Sequence, residues 1–225
     1  MGFIVAIDGP AGSGKGTIAN LVSKKFNLVN IDTGAMYRCV TLECLNNNIE
    51  YTDLEKIEEI LKNIKIELKF EDEEKIILLN GKDVSRDIRE PRIDASVSKF
   101  SAIKIVRDKM TNLQREMGEK QNVVMEGRDI GTVVFPNADV KIYLECSSEE
   151  RANRRYKQNV EKGIKCTYEE VYESIMQRNK LDEKRDIAPL VKADDAILVD
   201  STNLSIEEVF EEVAMIIKIK IDSKF

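Results

Sequence analysis

Two hundred and twenty-five residues suit one domain of ordinary size, or one core carrying small insertions. Hydrophobic residues make up 42% and charged residues 34%, the balance of a soluble globular chain, and the net charge of −6 gives no reason to expect a nucleic-acid partner. Histidine is absent, which removes imidazole bases, Ser-His and Cys-His catalysis and every His-containing metal site. No stretch approaches the ~20 consecutive apolar residues of a membrane helix. The start of the chain does not read as a secretory leader. Cys39, Cys44, Cys146 and Cys166 include no C-x-x-C pair, so reduced structural thiols in a cytoplasmic protein are expected, without zinc.

In chain order, residues 3–7 form a continuous apolar run and predict a buried strand. Ile18, Leu21, Val22 and Phe26 recur at helical spacing after Gly14, and residues 28–31 give a second short strand. Ile64, Ile66, Leu68 and Phe70 alternate with Lys65, Glu67 and Lys69, the period of a half-exposed strand. A further run at 75–79 leads into Asn80-Gly81, a tight-turn dipeptide. Residues 64–90 therefore read as an antiparallel insert in a core made of 1–63 and 91–225. Runs at 123–125, 141–144 and 196–199, separated by helical stretches, predict an α/β fold with a parallel sheet covered on both faces. Thr167 with Glu170, and Ser205 with Glu208, predict capping boxes.

Between the first strand and first helix lies Gly9-Pro10-Ala11-Gly12-Ser13-Gly14-Lys15-Gly16-Thr17, which holds four of the 11 glycines. Backbone that wraps a phosphate with its N–H groups must shed side chains, and the helix N-terminus adds a positive dipole end. Lys15 supplies a charge that can follow a transferring phosphoryl group. Gly16 stands where G-x-x-x-x-G-K-[ST] places a hydroxyl, which arrives one residue later as Thr17; whether Thr17 or Ser13 approaches Mg²⁺ stays open. A dinucleotide fingerprint fails, because its third glycine position is Thr17.

Two further segments follow predicted strands: Asp32-Thr33-Gly34-Ala35-Met36-Tyr37-Arg38 and Glu126-Gly127-Arg128-Asp129-Ile130-Gly131-Thr132. Each carries an arginine and glycine at the strand end where ligands bind in open α/β sheets. Arg151, Arg154 and Arg155 share one side of a helix, and the segment at about 148–166 reads as a lid that closes over a triphosphate and excludes water. Arg178, Asp182 and Arg185 form one stripe if their helix runs that far. A phosphate monoester is already largely anionic at neutral pH (second pKa ~6), so an acceptor of that kind needs charge screening rather than a base. A kinase for another nucleoside monophosphate or for a small alcohol, the latter using Asp8 or Asp32 as base, or a non-catalytic nucleotide switch are the alternatives on these residues alone.

GPAGSGKGT, DTGAMYR, EGRDIGTVVFP, SSEERANRR and RNKLDEKRDIAPL resemble, in order, signature segments of the bacterial cytidylate kinases, from about Ile4 to about Ile216. The resemblance implies a phosphate-loop kinase core in which residues 64–90 belong to a monophosphate-binding domain. It implies transfer of the γ-phosphoryl group of Mg·ATP to CMP, and to dCMP; a cytoplasmic monomer acting on small molecules only is expected. By resemblance, Tyr37, Arg38 and Arg128 lie at the monophosphate end of CMP, Ser98, Arg107 and Asp129 face cytosine, and Thr33 is a further CMP-binding residue. Arg178, Asp182 and Arg185 reach ribose and phosphate, although residues 179–184 depart from the family's more Arg/Asp-rich run. Residues 9–17 with Arg154 hold the ATP phosphates. Lys15, Arg128, Arg151 and Arg155 stabilise the transferring group, Thr17 is the candidate Mg²⁺ ligand, and Asp8 and Asp32 hold its water. The chemistry of the base agrees: a carboxylate accepts from cytosine N4 and a guanidinium donates to N3 or O2, whereas uracil opposes both.

Overall fold

The computed structural model describes residues 2–71 and 74–223. The elements run β1 (Ile4–Asp8), α1 (Lys15–Phe26), β2 (Val29–Asp32), α2 (Thr33–Asn46) and α3 (Leu54–Asn63). Next come β3 (Ile66–Glu71), β4 (Glu74–Leu79), β5 (Lys82–Asp83), α4 (Pro91–Ser101) and α5 (Lys104–Glu119). The chain finishes with β6 (Val123–Gly127), β7 (Val140–Glu145), α6 (Ser148–Glu161), α7 (Tyr168–Lys184), β8 (Ile197–Asp200) and α8 (Ile206–Asp222). Each strand expected from an apolar run is present, its ends shifted by a residue or two. Two compact units are distinguished: one made of the chain up to Asn30 and from Met117 onward, the other Ile31–Glu116.

The first unit is built on the central sheet, whose strand order is β2-β6-β1-β7-β8. β1 pairs in parallel with β6 on one side and β7 on the other, and β7 pairs in parallel with β8. All five residues of β1 are buried, which is why residues 4–7 are a continuous apolar run rather than an alternation, with Asp8 at the strand's end. Val5, Ile7, Val140, Ile142 and Leu144 form a core with Ile18, Ala19 and Val22 of α1 and Val209, Val213 and Ile217 of α8. The register Ile7↔Glu126 and Asp8↔Gly127 sets the carboxyl ends of β1 and β6 side by side. The loops that leave them therefore start as neighbours, at the strand ends where such sheets bind ligands. Both expected capping boxes close reciprocally, at Thr167/Glu170 opening α7 and Ser205/Glu208 opening α8.

The second unit contains the three-stranded antiparallel sheet β3-β4-β5, with register from Ile66↔Leu79 to Glu71↔Glu74. Asn80 and Gly81 both take positive φ (52° and 84°), and Leu79↔Lys82 pairing makes the connection a two-residue turn, as the dipeptide predicts. Ile64 and Ile66 are buried while Lys65 and Glu67 are exposed, so the alternation places one face on the core. The sheet lies within residues 64–90, and α2 to α5 make up the remainder of the unit, α2 packing on α4.

Candidate active site

The phosphate loop leaves β1 at Gly9, whose φ is +151°; a Cβ there would stand 2.2 Å from the Leu144 carbonyl oxygen, so no side chain fits. Gly14 begins α1 in the left-handed region without a capping side chain, leaving the helix N-terminus to a ligand. Lys15 is buried within the loop it serves: Nζ donates to the Pro10 carbonyl (2.6 Å) and the Ser13 hydroxyl (3.2 Å). Burial, and then the positive charge of Arg128, push its pKa well below the ordinary lysine value, with Glu126 and Asp8 pulling the other way. A polyanion arriving beside this amine restores its preference for the charged form.

Arg128 and Asp129 follow β6. Arg128 Nε donates to Asp182 Oδ2 at 2.9 Å, and Arg185 Nη2 lies 3.6 Å from Asp129 Oδ1. The two expected groups of the first unit, after β6 and at the end of α7, are thus brought together. Burial raises the Asp182 carboxyl, but Arg128, Arg178 and Arg185 outweigh it and hold the group below the ordinary carboxylate value. α7 ends at Lys184, so Arg185 caps the stripe from an extended backbone rather than continuing the helix.

The three arginines of α6 separate in role. Arg151 is 3% exposed, and its guanidinium donates to the carbonyls of Cys146 (2.9 Å) and Ala11 (3.0 Å), to Asn179 Oδ1 (2.9 Å) and to the Ser148 hydroxyl (2.9 Å). It braces the phosphate loop against the foot of α6 and against α7. Arg154 pairs with Glu150 Oε1 (2.9 Å) and donates to the Ser201 carbonyl (2.6 Å), while the Ser201 hydroxyl is 3.2 Å from the Ser13 carbonyl. Arg155 is half-buried.

In the second unit, Arg38 donates to the Ile88 carbonyl (2.9 Å) and pairs with the Asp94 carboxylate. The Arg107 guanidinium, 2% exposed, lies 5.3 Å from the Tyr37 ring centroid and donates to the Ser101 carbonyl (3.1 Å). Thr33 is buried at the start of α2, and Ser98 is half-buried on α4.

Asp8 and Asp32 both have structural partners. Asp32 Oδ1 caps α2 through the Ala35 N–H (2.9 Å), and Oδ2 lies 3.3 Å from Arg89. Burial raises its pKa, but Lys75, Arg89, the Ala35 N–H and Arg38 together take it below the ordinary value. Asp8 accepts backbone N–H groups from Ile130 and Gly131. Sequence reasoning missed three groups: Asp94, Asn179 and Glu126. Glu126 Oε1 stands 3.0 Å from where a Cβ of Gly16 would be, so the carboxylate fills the place beside the first turn of α1 that a residue-16 side chain would need. The signal was available in the glycine that replaces the expected hydroxyl residue.

Among the described residues no three His, Cys, Asp or Glu side chains converge as a metal cage. A Mg²⁺ ion that arrives on nucleotide phosphates needs only one or two protein oxygens. The exposed Thr17 hydroxyl on the first turn of α1 and the Glu126 carboxylate beside Gly16 fit that requirement. Among the described residues no helix is long and apolar enough to cross a membrane.

A parallel sheet with a glycine-rich loop running from its central strand into a helix, and a buried lysine inside the loop, defines a phosphate-loop α/β protein. Solved structures agree on that fold: an uncharacterized protein from Eubacterium ventriosum matches with a TM-score of 0.52 at 14% identity over 99% of both chains. TT1252 from Thermus thermophilus matches with a TM-score of 0.50 at 17% identity over 97% of both. Sequence comparison narrows the class. The cytidylate kinase family model matches residues 5–219. A cytidylate kinase of Fusobacterium nucleatum is 55% identical over 207 residues, covering 92% of this chain and 93% of that protein. One from Limosilactobacillus reuteri is 50% identical over 218 residues, covering 96% of each. The chain belongs to the cytidylate kinase family.

Proposed function

We propose that this protein transfers the γ-phosphoryl group of Mg·ATP to CMP, and also to dCMP, giving CDP or dCDP and ADP in pyrimidine nucleotide metabolism. The observation that carries the reading is family membership over nearly the whole chain, joined to a phosphate loop whose lysine is held by the loop's own Pro10 carbonyl and Ser13 hydroxyl. The loop amides and Arg154 bind the ATP phosphates, and Lys15 and Arg128 stabilise the charge that develops on the transferring group. Arg155 assists from α6, and Arg151 contributes by keeping the loop in shape. A bound Mg²⁺ would supply neutralisation of the phosphate charge; Thr17 and Glu126 would hold it, with Asp32 orienting its water.

On the acceptor side, Tyr37, Arg38 and Arg128 bind the CMP phosphate, Ser98, Arg107 and Asp129 read cytosine, Arg178, Asp182 and Arg185 bind ribose and phosphate, and Thr33 is a further CMP contact. Residues 64–90 belong to the part that recognises the monophosphate. No general base is needed, since the attacking phosphate oxygen is already ionised near neutral pH (second pKa ~6). The protein works as a cytoplasmic monomer. Initial rates with CMP, dCMP, UMP and AMP against Mg·ATP test the reading: CMP and dCMP are expected to lead. Equal rates with UMP would remove the cytosine contacts, and no turnover with CMP would remove the function.

A further inference from the structure

At the carboxyl end of β1 the Asp8 side chain is buried, and each carboxylate oxygen accepts one backbone N–H. Oδ1 accepts from Ile130 (2.8 Å) and Oδ2 from Gly131 (2.7 Å). These are the first residues of a π-helical turn, Ile130–Val134, which begins directly after Arg128 and Asp129. The Asp129 carbonyl accepts from the amides of Val133 (2.9 Å) and Val134 (3.1 Å), and the Ile130 carbonyl from Phe135 (2.7 Å). The turn's first amides point the other way and are met by Asp8. The approach is close: a Cβ at Gly131 would lie 3.4 Å from Asp8 Oδ2 and 3.2 Å from Lys141 Cδ. Asp8 also immediately precedes Gly9, so one side chain joins the entry of the phosphate loop to the segment that carries Arg128 and Asp129.

The chemistry requires a carboxylate. Two N–H donors side by side need an acceptor on each oxygen, and asparagine would turn one acceptor into a donor facing a donor. π-helical turns are rare and need support, frequently beside functional sites.

We propose that Asp8 is a positioning residue for the phosphoryl acceptor: by holding the Ile130 and Gly131 amides it fixes the directions in which Arg128 and Asp129 leave the backbone. The proposal rests on the reading that those two side chains bind CMP. It assigns Asp8 to the acceptor half of the reaction rather than to the water shell of Mg²⁺.

The test compares wild type, Asp8→Asn and Gly131→Ala, the last pushing the same contact from its other side without a change of charge. Calorimetric binding of CMP and of ATP is measured separately, with steady-state KM and kcat for CMP and UMP and a Mg²⁺ titration. In Asp8→Asn, CMP affinity is expected to fall about ten- to hundredfold, as for an ångström-scale misplacement. The CMP preference over UMP should fall with it, while ATP affinity and the Mg²⁺ requirement stay at wild-type values. Gly131→Ala should move the same quantities in the same direction, less far. A loss of kcat with both KM values kept would mean a merely structural role and overturns the proposal. So does a raised Mg²⁺ or ATP requirement with CMP binding intact. Failure of the wild-type protein to bind or turn over CMP is seen before any variant is compared, and it removes the parent reading and this inference together.

Discussion

Glu126 Oε1 and Gly16 are in such close approach that a single added methyl at position 16 would lie 3.0 Å from the carboxylate oxygen. The departure from the usual loop sequence thus has a spatial cause, since the neighbouring strand already delivers an oxygen to the first turn of α1. Gly16→Ser is expected to fold, because Glu126 is half-buried and can swing aside, at a stability loss of about 1–3 kcal/mol. Its turnover should drop about tenfold or more as the turn shifts. Shortening the opposing side chain in Gly16→Ser/Glu126→Asp should recover the stability in thermal unfolding. No recovery would show that the two positions do not compete for space.

The Arg128–Asp182 pair joins the turn after β6 to α7, with side-chain exposures of only 19% and 7%. Asp182→Ala strands a guanidinium among other arginines and should destabilise the protein by about 3–5 kcal/mol in urea unfolding. The sign with pH follows from a carboxyl held below its ordinary value of 3.8. The stabilisation is fully present above that value and is lost as pH falls through the lower folded one. The wild-type advantage over Asp182→Asn should therefore be flat from neutral pH down to about pH 5 and shrink only in stronger acid.

Asp8 behaves oppositely. Burial, partly offset by the Gly131 and Ile130 amides, raises its pKa from 3.8 to about 6. The folded protein binds this proton more tightly than the unfolded chain, so ionisation between those two values opposes folding, by about 3 kcal/mol at most. Relative to Asp8→Asn, which carries no proton to lose, wild-type stability should decline as pH rises from about 4 to 6 and level off above. A difference between the two proteins that stays constant across that range in chemical denaturation contradicts the shift.

Thiol chemistry should single out one cysteine. Burial and nearby carboxylates push Cys39 up to about 12, burial and Glu43 do the same to Cys44, and Cys146 is buried. At pH 8 a thiol with pKa near 12 is only about one part in ten thousand thiolate. The half-buried Cys166 is therefore expected to react first with a thiol reagent, and the other three only on unfolding. Fast release of more than one equivalent from the folded protein would refute this.

Much of the fold was legible because strands buried on both faces need apolar runs, and because Asn-Gly and the two capping boxes act within a few residues of themselves. The phosphate loop was legible for the same local reason. The contacts that shape the site around it were not. Arg151 meets Ala11 across 140 positions, and Asp8 meets Ile130 across 122. Neither separation has any periodic trace in the sequence. Arg151 read as a lid charge because spacing along a helix shows which side chains share a face but not which of them the fold buries. Asp94 and Asn179 were missed because a single acceptor in a charged stretch looks like any other until its donor is placed against it.

The four acceptors around Arg151 bear on how α6 and α7 can move. Opening the root of this hairpin would break the bonds to Ala11 and Asn179, which tie α6 to the phosphate loop and to α7, and expose a cation that is now almost wholly enclosed. Excursions of the pair should therefore begin at its tip, around Gly163, and die out toward the root. Amide exchange with deuterium should trace that gradient, fastest near the tip and slowest where Ala11, Cys146 and Asn179 share one anchor.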